Sequence, residues 1–164
     1  MRYLVTGAAG FIGANVVKAL RGNGIEVVGV DSINDYYDPS LKRSRLASLL
    51  TDPGVSFVEA DLADPLATEA LFKDGAFDVV IHLAAQAGVR YSLENPGAYI
   101  ASNIVGFQNL IDACRAQPPR HFVFASSSSV YGNSKRSIFS ETDPTDDPVS
   151  LYAATKKANE VVGH

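Results

Sequence analysis

The segment YLVTGAAGFIGANVV, residues 3–17, constrains the fold more than any other part of the chain. A short apolar and β-branched run at 3–6 meets glycines at 7, 10 and 13, and then a stretch with apolar residues at helical spacing. This is the pattern of a strand turning directly into a helix. In such a turn Gly7 permits the tight bend, Gly10 lets backbone come close to a phosphate, and Gly13 lets the helix pack against the sheet. The helix that follows is expected to bury Phe11, Val16, Val17 and Leu20.

Four more apolar runs read as strands: EVVGV (26–30), VSFVEA (55–60), DVVIHLA (78–84) and HFVFAS (121–126). Strands apolar on both faces suit a parallel sheet covered on each side. Asp64 before Pro65 reads as a helix N-cap with proline at the first helical position. The longest helix is expected at about 97–116, with Ile100, Ile104, Phe107, Ile111 and Cys114 on its apolar stripe. Strands and helices alternate, which predicts a doubly wound α/β parallel sheet, the Rossmann fold. The loops at 31–40 and 127–150 are long for that fold, and loops at the carboxyl ends of its strands bind ligands. Five strands are read where the usual dinucleotide fold has six, so the expectation is a domain spanning 1–164 and truncated after its fifth βα unit.

Composition narrows the partners. The 164 residues carry a formal charge of −4 with a pI of about 5.3, which argues against nucleic acid and anionic membrane surfaces. His82, His121 and His164 lack metal-ligand spacing, so no metal site is expected. Cys114 sits in a helical apolar pattern and reads as a buried structural thiol. No signal peptide or membrane span is read, which gives a cytoplasmic expectation.

The second strand ends in Asp31, placed to accept both hydroxyls of an adenosine ribose and to repel a 2′-phosphate; NAD is therefore expected over NADP. Asp61, ending the third strand, either meets the adenine amino group or caps its own turn. Near the end of the chain, Tyr152 and Lys156 stand four apart on a helical segment and share one face, a phenol beside an ammonium.

In order along the chain, Thr6-Gly7-x-x-Gly10-x-x-Gly13, Asp31, HLAAQ after strand four, the serine run at 126–129 and Tyr152/Lys156 resemble the extended short-chain dehydrogenase/reductases. Among them the chain is most similar to the nucleotide-sugar epimerases that act on UDP-glucuronate, on the segments VDSINDYYDPSLKRSRL, HLAAQAGVRYSLENP and SSSSVYG…PVSLYAATKKANE. The resemblance implies inversion of C4 of a UDP-sugar, UDP-glucuronate to UDP-galacturonate, through a 4-keto intermediate. Tyr152 would be the base, Lys156 its electrostatic support and a cofactor-ribose ligand, and Ser127 the partner of the 4-oxygen, with Ser128 its rival. Phe11, Ile12, Asn34, Leu62, Leu83, Ala84 and Ala85 would complete the cofactor wall. Arg90 either holds an anionic substrate or is solvated. Dehydratases and decarboxylases of the family carry an acid before VYG; serines stand there in this chain, which favours epimerisation. The alternatives are such a dehydratase or decarboxylase, or a non-catalytic NAD-binding module. The resemblance also implies a carboxyl-terminal substrate domain outside these residues, and a homodimer built on the helices near 97–116 and 151–164.

Overall fold

A computed structural model describes residues 1–73 and 76–164. Five parallel strands, β1 (Arg2–Thr6), β2 (Glu26–Asp31), β3 (Val55–Glu59), β4 (Val79–His82) and β5 (His121–Phe124), form one sheet. Its order is β3-β2-β1-β4-β5. The register pairs Leu4 with both Val28 and Val80, so the strands align at the centre of the sheet. The chain reverses its direction of travel between β1 and β4, and such a switch opens a crevice at the carboxyl ends of those strands.

Alternation along β1 divides the core. Leu4 faces one layer with Val28, Val80, Phe72, Leu110 and Cys114, beneath α3 (Pro65–Lys73) and α6 (Gly106–Ala116). Val5 faces the other with Ala8, Ala14, Val17 and Leu49, beneath α1 (Phe11–Gly22) and α2 (Pro39–Leu49). Burial raises the Cys114 thiol to about 11, so it packs as an apolar group.

Caps explain where the helices begin. Asp38 accepts from Ser40 N at 2.9 Å ahead of Pro39, Asp64 accepts from Leu66 N at 2.9 Å ahead of Pro65, and Ser150 accepts from Ala153 N at 3.1 Å. The last of these starts α7 (Leu151–Val162), the Tyr152/Lys156 helix.

Two sequence expectations need correction. The buried face of α1 is Gly13, Ala14 and Val17, while Phe11 is 72% exposed, because small residues bring the helix close to the sheet and turn its first turn outward. The helix expected at 97–116 is not uniform. After the short turns α4 (Tyr91–Glu94) and α5 (Pro96–Tyr99), residues Ile100–Val105 form a π-helix that runs into α6. The wider turn shifts the buried face to Tyr99, Asn103, Phe107, Leu110 and Cys114, and leaves Ile100 exposed. Among the described residues no helix is long and apolar enough to cross a membrane.

Candidate functional site

A cleft of about 370 Å³ opens at the carboxyl ends of β1, β2 and β4, within the range of small-molecule sites. The glycines of the first turn form its floor. Gly7 has φ +68°, and a Cβ there would lie 2.8 Å from Ala84 N. A Cβ on Gly13 would lie 2.0 Å from the Gly7 carbonyl oxygen. Helix α1 begins at Gly10 with no side-chain cap and no acid in its first turn, so its leading N–H groups and positive dipole end face the cleft uncompensated. An anionic group fits there.

Gly7, Gly10, Phe11, Ile12, Gly13, Asp31, Asn34, Asp61, Leu62, Leu83, Ala84 and Ala85 all line this cleft. Asp61 also caps its own turn, accepting from Ala63 N at 2.9 Å. Sequence reading missed Tyr36, Tyr37, Lys42, Arg45 and Gln86, which line it too. Tyr36 donates to Ala87 O across the cleft at 3.0 Å, and its ring lies 4.9 Å from that of Tyr91. Gln86 is buried, and its Nε2 makes no hydrogen bond of good geometry among the described residues, with the Tyr99 hydroxyl its polar neighbour. An orphaned buried donor in a cleft wall is a place for a ligand acceptor. The uncapped helix end, the crowded glycines and this donor together suit a dinucleotide.

Tyr152, Lys156, Ser127, Ser128 and Arg90 are not among the residues that line the cleft, and Arg90 is exposed in the turn before α4. Lys156 is 4% exposed, and its Nζ donates to Ala125 O at 3.0 Å, just past β5. Burial pushes this ammonium down to about 8. Tyr152 meets the ring of Tyr99 edge-on, with centres 6.1 Å apart. Ser127 Oγ accepts from Ser129 N at 3.2 Å and donates to Ser129 Oγ at 3.1 Å, capping the single 3₁₀ turn Ser128–Tyr131.

The two parts are joined through polar side chains. Asn103 bonds both backbone groups of Gln86, and its Nδ2 also reaches Thr155 Oγ1 at 3.1 Å on α7. Asn159 Nδ2 donates to Asn103 O, on the π-helix, at 2.7 Å. Under the cleft, Thr6 Oγ1 accepts from Leu83 N and Ala84 N, so its proton goes to His82 Nδ1 at 2.8 Å. His82 is therefore the Nε2–H tautomer. Burial, and then the charge of Lys156, hold it neutral with a pKa of about 3.

Residues 3–163 match the model of the NAD dependent epimerase/dehydratase family. The chain belongs to that family. UDP-glucuronate 4-epimerase 4 of Arabidopsis thaliana is 56% identical over 162 residues, which cover 98% of this chain and 37% of the relative. A crystal structure of UDP-glucuronic acid 4-epimerase from Bacillus cereus, in complex with UDP-glucuronic acid and NAD, superposes with a TM-score of 0.89 at 36% identity. That match covers 99% of this chain and 51% of the other. The UDP-Glc/GlcNAc 4-epimerase from Campylobacter jejuni gives 0.89 at 29% identity, over 98% of this chain and 47% of the other. The family member described here thus spans between about a third and a half of the length of these relatives.

Proposed function

We propose that this chain is the NAD-binding and catalytic front of a UDP-sugar 4-epimerase, and that its sugar is UDP-glucuronate, interconverted with UDP-galacturonate. The observation that supports the reading is that the helix carrying Tyr152 and Lys156 sets the Lys156 ammonium on Ala125 O just past β5 and is tied through Asn103 to Gln86, in the wall of a cleft suited to a dinucleotide. The identity to UDP-glucuronate 4-epimerases supports the substrate.

When bound, NAD supplies a hydride acceptor that later returns the hydride. The protein's residues do the rest. Tyr152 takes the proton of the sugar 4-hydroxyl as the 4-keto form develops, and gives it back after the ring has turned. A free phenol has a pKa near 10, so a base poised at pH 7 needs roughly 4 kcal/mol of preferential stabilisation of its phenolate. Lys156, one turn along α7 and still mostly protonated at pH 7, supplies positive charge on that face. Ser127, its hydroxyl turned from Ser129 Oγ to the substrate, donates to the 4-oxygen, and the first turn of α1 holds the pyrophosphate. Serines at 128 and 129 offer no acid for elimination, so chemistry stops at inversion.

The test is Tyr152→Phe in the whole protein, assayed with UDP-glucuronate and by NAD titration. Turnover should be lost with the NAD affinity kept; substantial remaining epimerisation removes Tyr152 as the base.

A further inference from the structure

Two tyrosine hydroxyls converge on one carbonyl in the cleft wall. Tyr36 Oη donates to Ala87 O at 3.0 Å, and Tyr99 Oη donates to the same oxygen at 2.7 Å while also reaching Gly88 O at 2.5 Å. A carbonyl oxygen has two lone pairs, so Ala87 O can take both. Gly88 makes room for them: it has φ +100°, and a Cβ there would stand 3.0 Å from Tyr36 Oη and 3.6 Å from Tyr99 Oη. The two donors differ in kind. Tyr99 is fully buried and anchors the loop after β4, whereas Tyr36 is 41% exposed and belongs to the loop after β2.

The Tyr36 bond joins parts that the sheet keeps apart. Strand β1 lies between β2 and β4. Neighbouring strands are about 4.8 Å apart, so the two loops leave the sheet about 10 Å from one another, on either side of the glycine turn. Both Tyr36 and Ala87 line the cleft. Among the described residues theirs is the one hydrogen bond between these two loops. The Tyr36 ring, 4.9 Å from that of Tyr91, steadies the crossing, and its exposure leaves the bond open to competition from water.

We propose that Tyr36 is a strap: bonded to Ala87 O, it closes the crevice over the cofactor, which enters and leaves only while that bond is broken. The proposal rests on the dinucleotide reading above. A reaction that lends a hydride and takes it back needs its cofactor held for the whole cycle, and a strap supplies that retention without tightening the binding. A bond made within the protein opposes entry as much as exit, so it slows both and leaves the equilibrium affinity alone. A side chain that grips the ligand slows exit only.

Stopped-flow exchange of NADH, followed by its fluorescence, tests the strap on the wild-type chain and on Tyr36→Phe, which loses one oxygen and keeps the ring against Tyr91. Mixing with protein gives the association rate, and a chase with excess NAD gives the dissociation rate. Tyr36→Phe should raise both about fivefold, the scale of one neutral hydrogen bond, with a dissociation constant within about twofold of wild type. Faster dissociation with unchanged association makes Tyr36 an ordinary ligand contact, and unchanged rates mean that the crevice stands open without it; either result overturns the strap while NADH binding by the wild type stands. A wild type that binds no dinucleotide overturns the cofactor reading, and the strap with it.

Discussion

Asn103 Oδ1 accepts the backbone N–H of Gln86 at 2.7 Å, and its Nδ2 returns a bond to Gln86 O at 3.0 Å. A side chain on the π-helix thereby imitates a strand neighbour for the loop after β4. Asn103→Leu, close in volume, would leave both Gln86 backbone groups buried without partners, while Thr155 Oγ1 keeps its bond to Tyr152 O at 2.8 Å. At about 1–3 kcal/mol for each unsatisfied group, the variant should lose at least ~2 kcal/mol of stability. Hydrogen exchange locates the effect: the Gln86 amide should lose protection well before amides in β1. Unchanged protection at Gln86 would mean that the loop holds itself.

Lys156 offers the opposite expectation. Its native pKa of about 8 lies below the ordinary 10.5 because the ammonium is buried. Between pH 8 and 10.5 the unfolded chain binds more protons than the native one, so this lysine makes stability rise with pH there. Below pH 8 the charge is carried in both states and its burial is a standing cost. Lys156→Met should therefore stabilise the chain at pH 7 by about 1–3 kcal/mol, a gain that shrinks towards pH 10.5. In the whole protein the same change should abolish turnover, the usual conflict between stability and an active site. Thermal melts at pH 7 and 10 check it, and a destabilised variant at pH 7 would show that the bond to Ala125 O outweighs the desolvation.

The sheet was legible because the central strands β1, β2 and β4 leave continuous apolar, β-branched runs, although the edge strands β3 and β5 stay partly exposed, with Val58 and Val123 open to solvent; the glycine turn was legible because Gly7 and Gly13 each answer a local clash. What escaped is polar and long-range. Asn103 reads as an ordinary helix residue, and only Gln86 and Thr155, distant in sequence, explain its burial. Lys42 follows a loop of Asp and Tyr residues and reads as a solvated helix cation until Asp31 is seen beside it. The π-helix defeated a period of 3.6: Ile104 was placed on the stripe that Asn103 occupies. Phe11 misled for a different reason, being an apolar residue whose side chain faces the cleft instead of the core.

Gly13 tests the tightness of the turn. A methyl group there would stand 2.0 Å from Gly7 O and 2.7 Å from Gly7 C, both backbone atoms that cannot rotate away. Gly13→Ala should cost about 3 kcal/mol, a drop in Tm of roughly 6–12 °C for a domain of this size. Gly22, with nothing within 4 Å of its Cβ position, is the control and should tolerate alanine. NAD affinity should fall with Gly13→Ala and hold with Gly22→Ala. Equal melting temperatures for the two would contradict the clash.

His82 sets the acid limit of the fold. Its native pKa of about 3 lies below the ordinary 6.5, first through burial and then through the neighbouring Lys156 charge. Between those values the unfolded chain takes up a proton that the native chain refuses. Stability from this group is complete above pH 6.5 and is lost as the pH falls, at about 1.4 kcal/mol per pH unit, down to about pH 3. From pH 7 to pH 4.5 that is a loss of about 3 kcal/mol. His82→Asn keeps an acceptor for the Thr6 hydroxyl and cannot titrate. Urea denaturation of both proteins at pH 7 and 4.5 isolates the histidine, because the carboxylates are common to both. The variant should be weaker at pH 7, where it loses packing against Phe107, and should close most of that gap by pH 4.5. A parallel decline of the two would mean that His82 is protonated in the folded protein, with Lys156 displaced to make room for its charge.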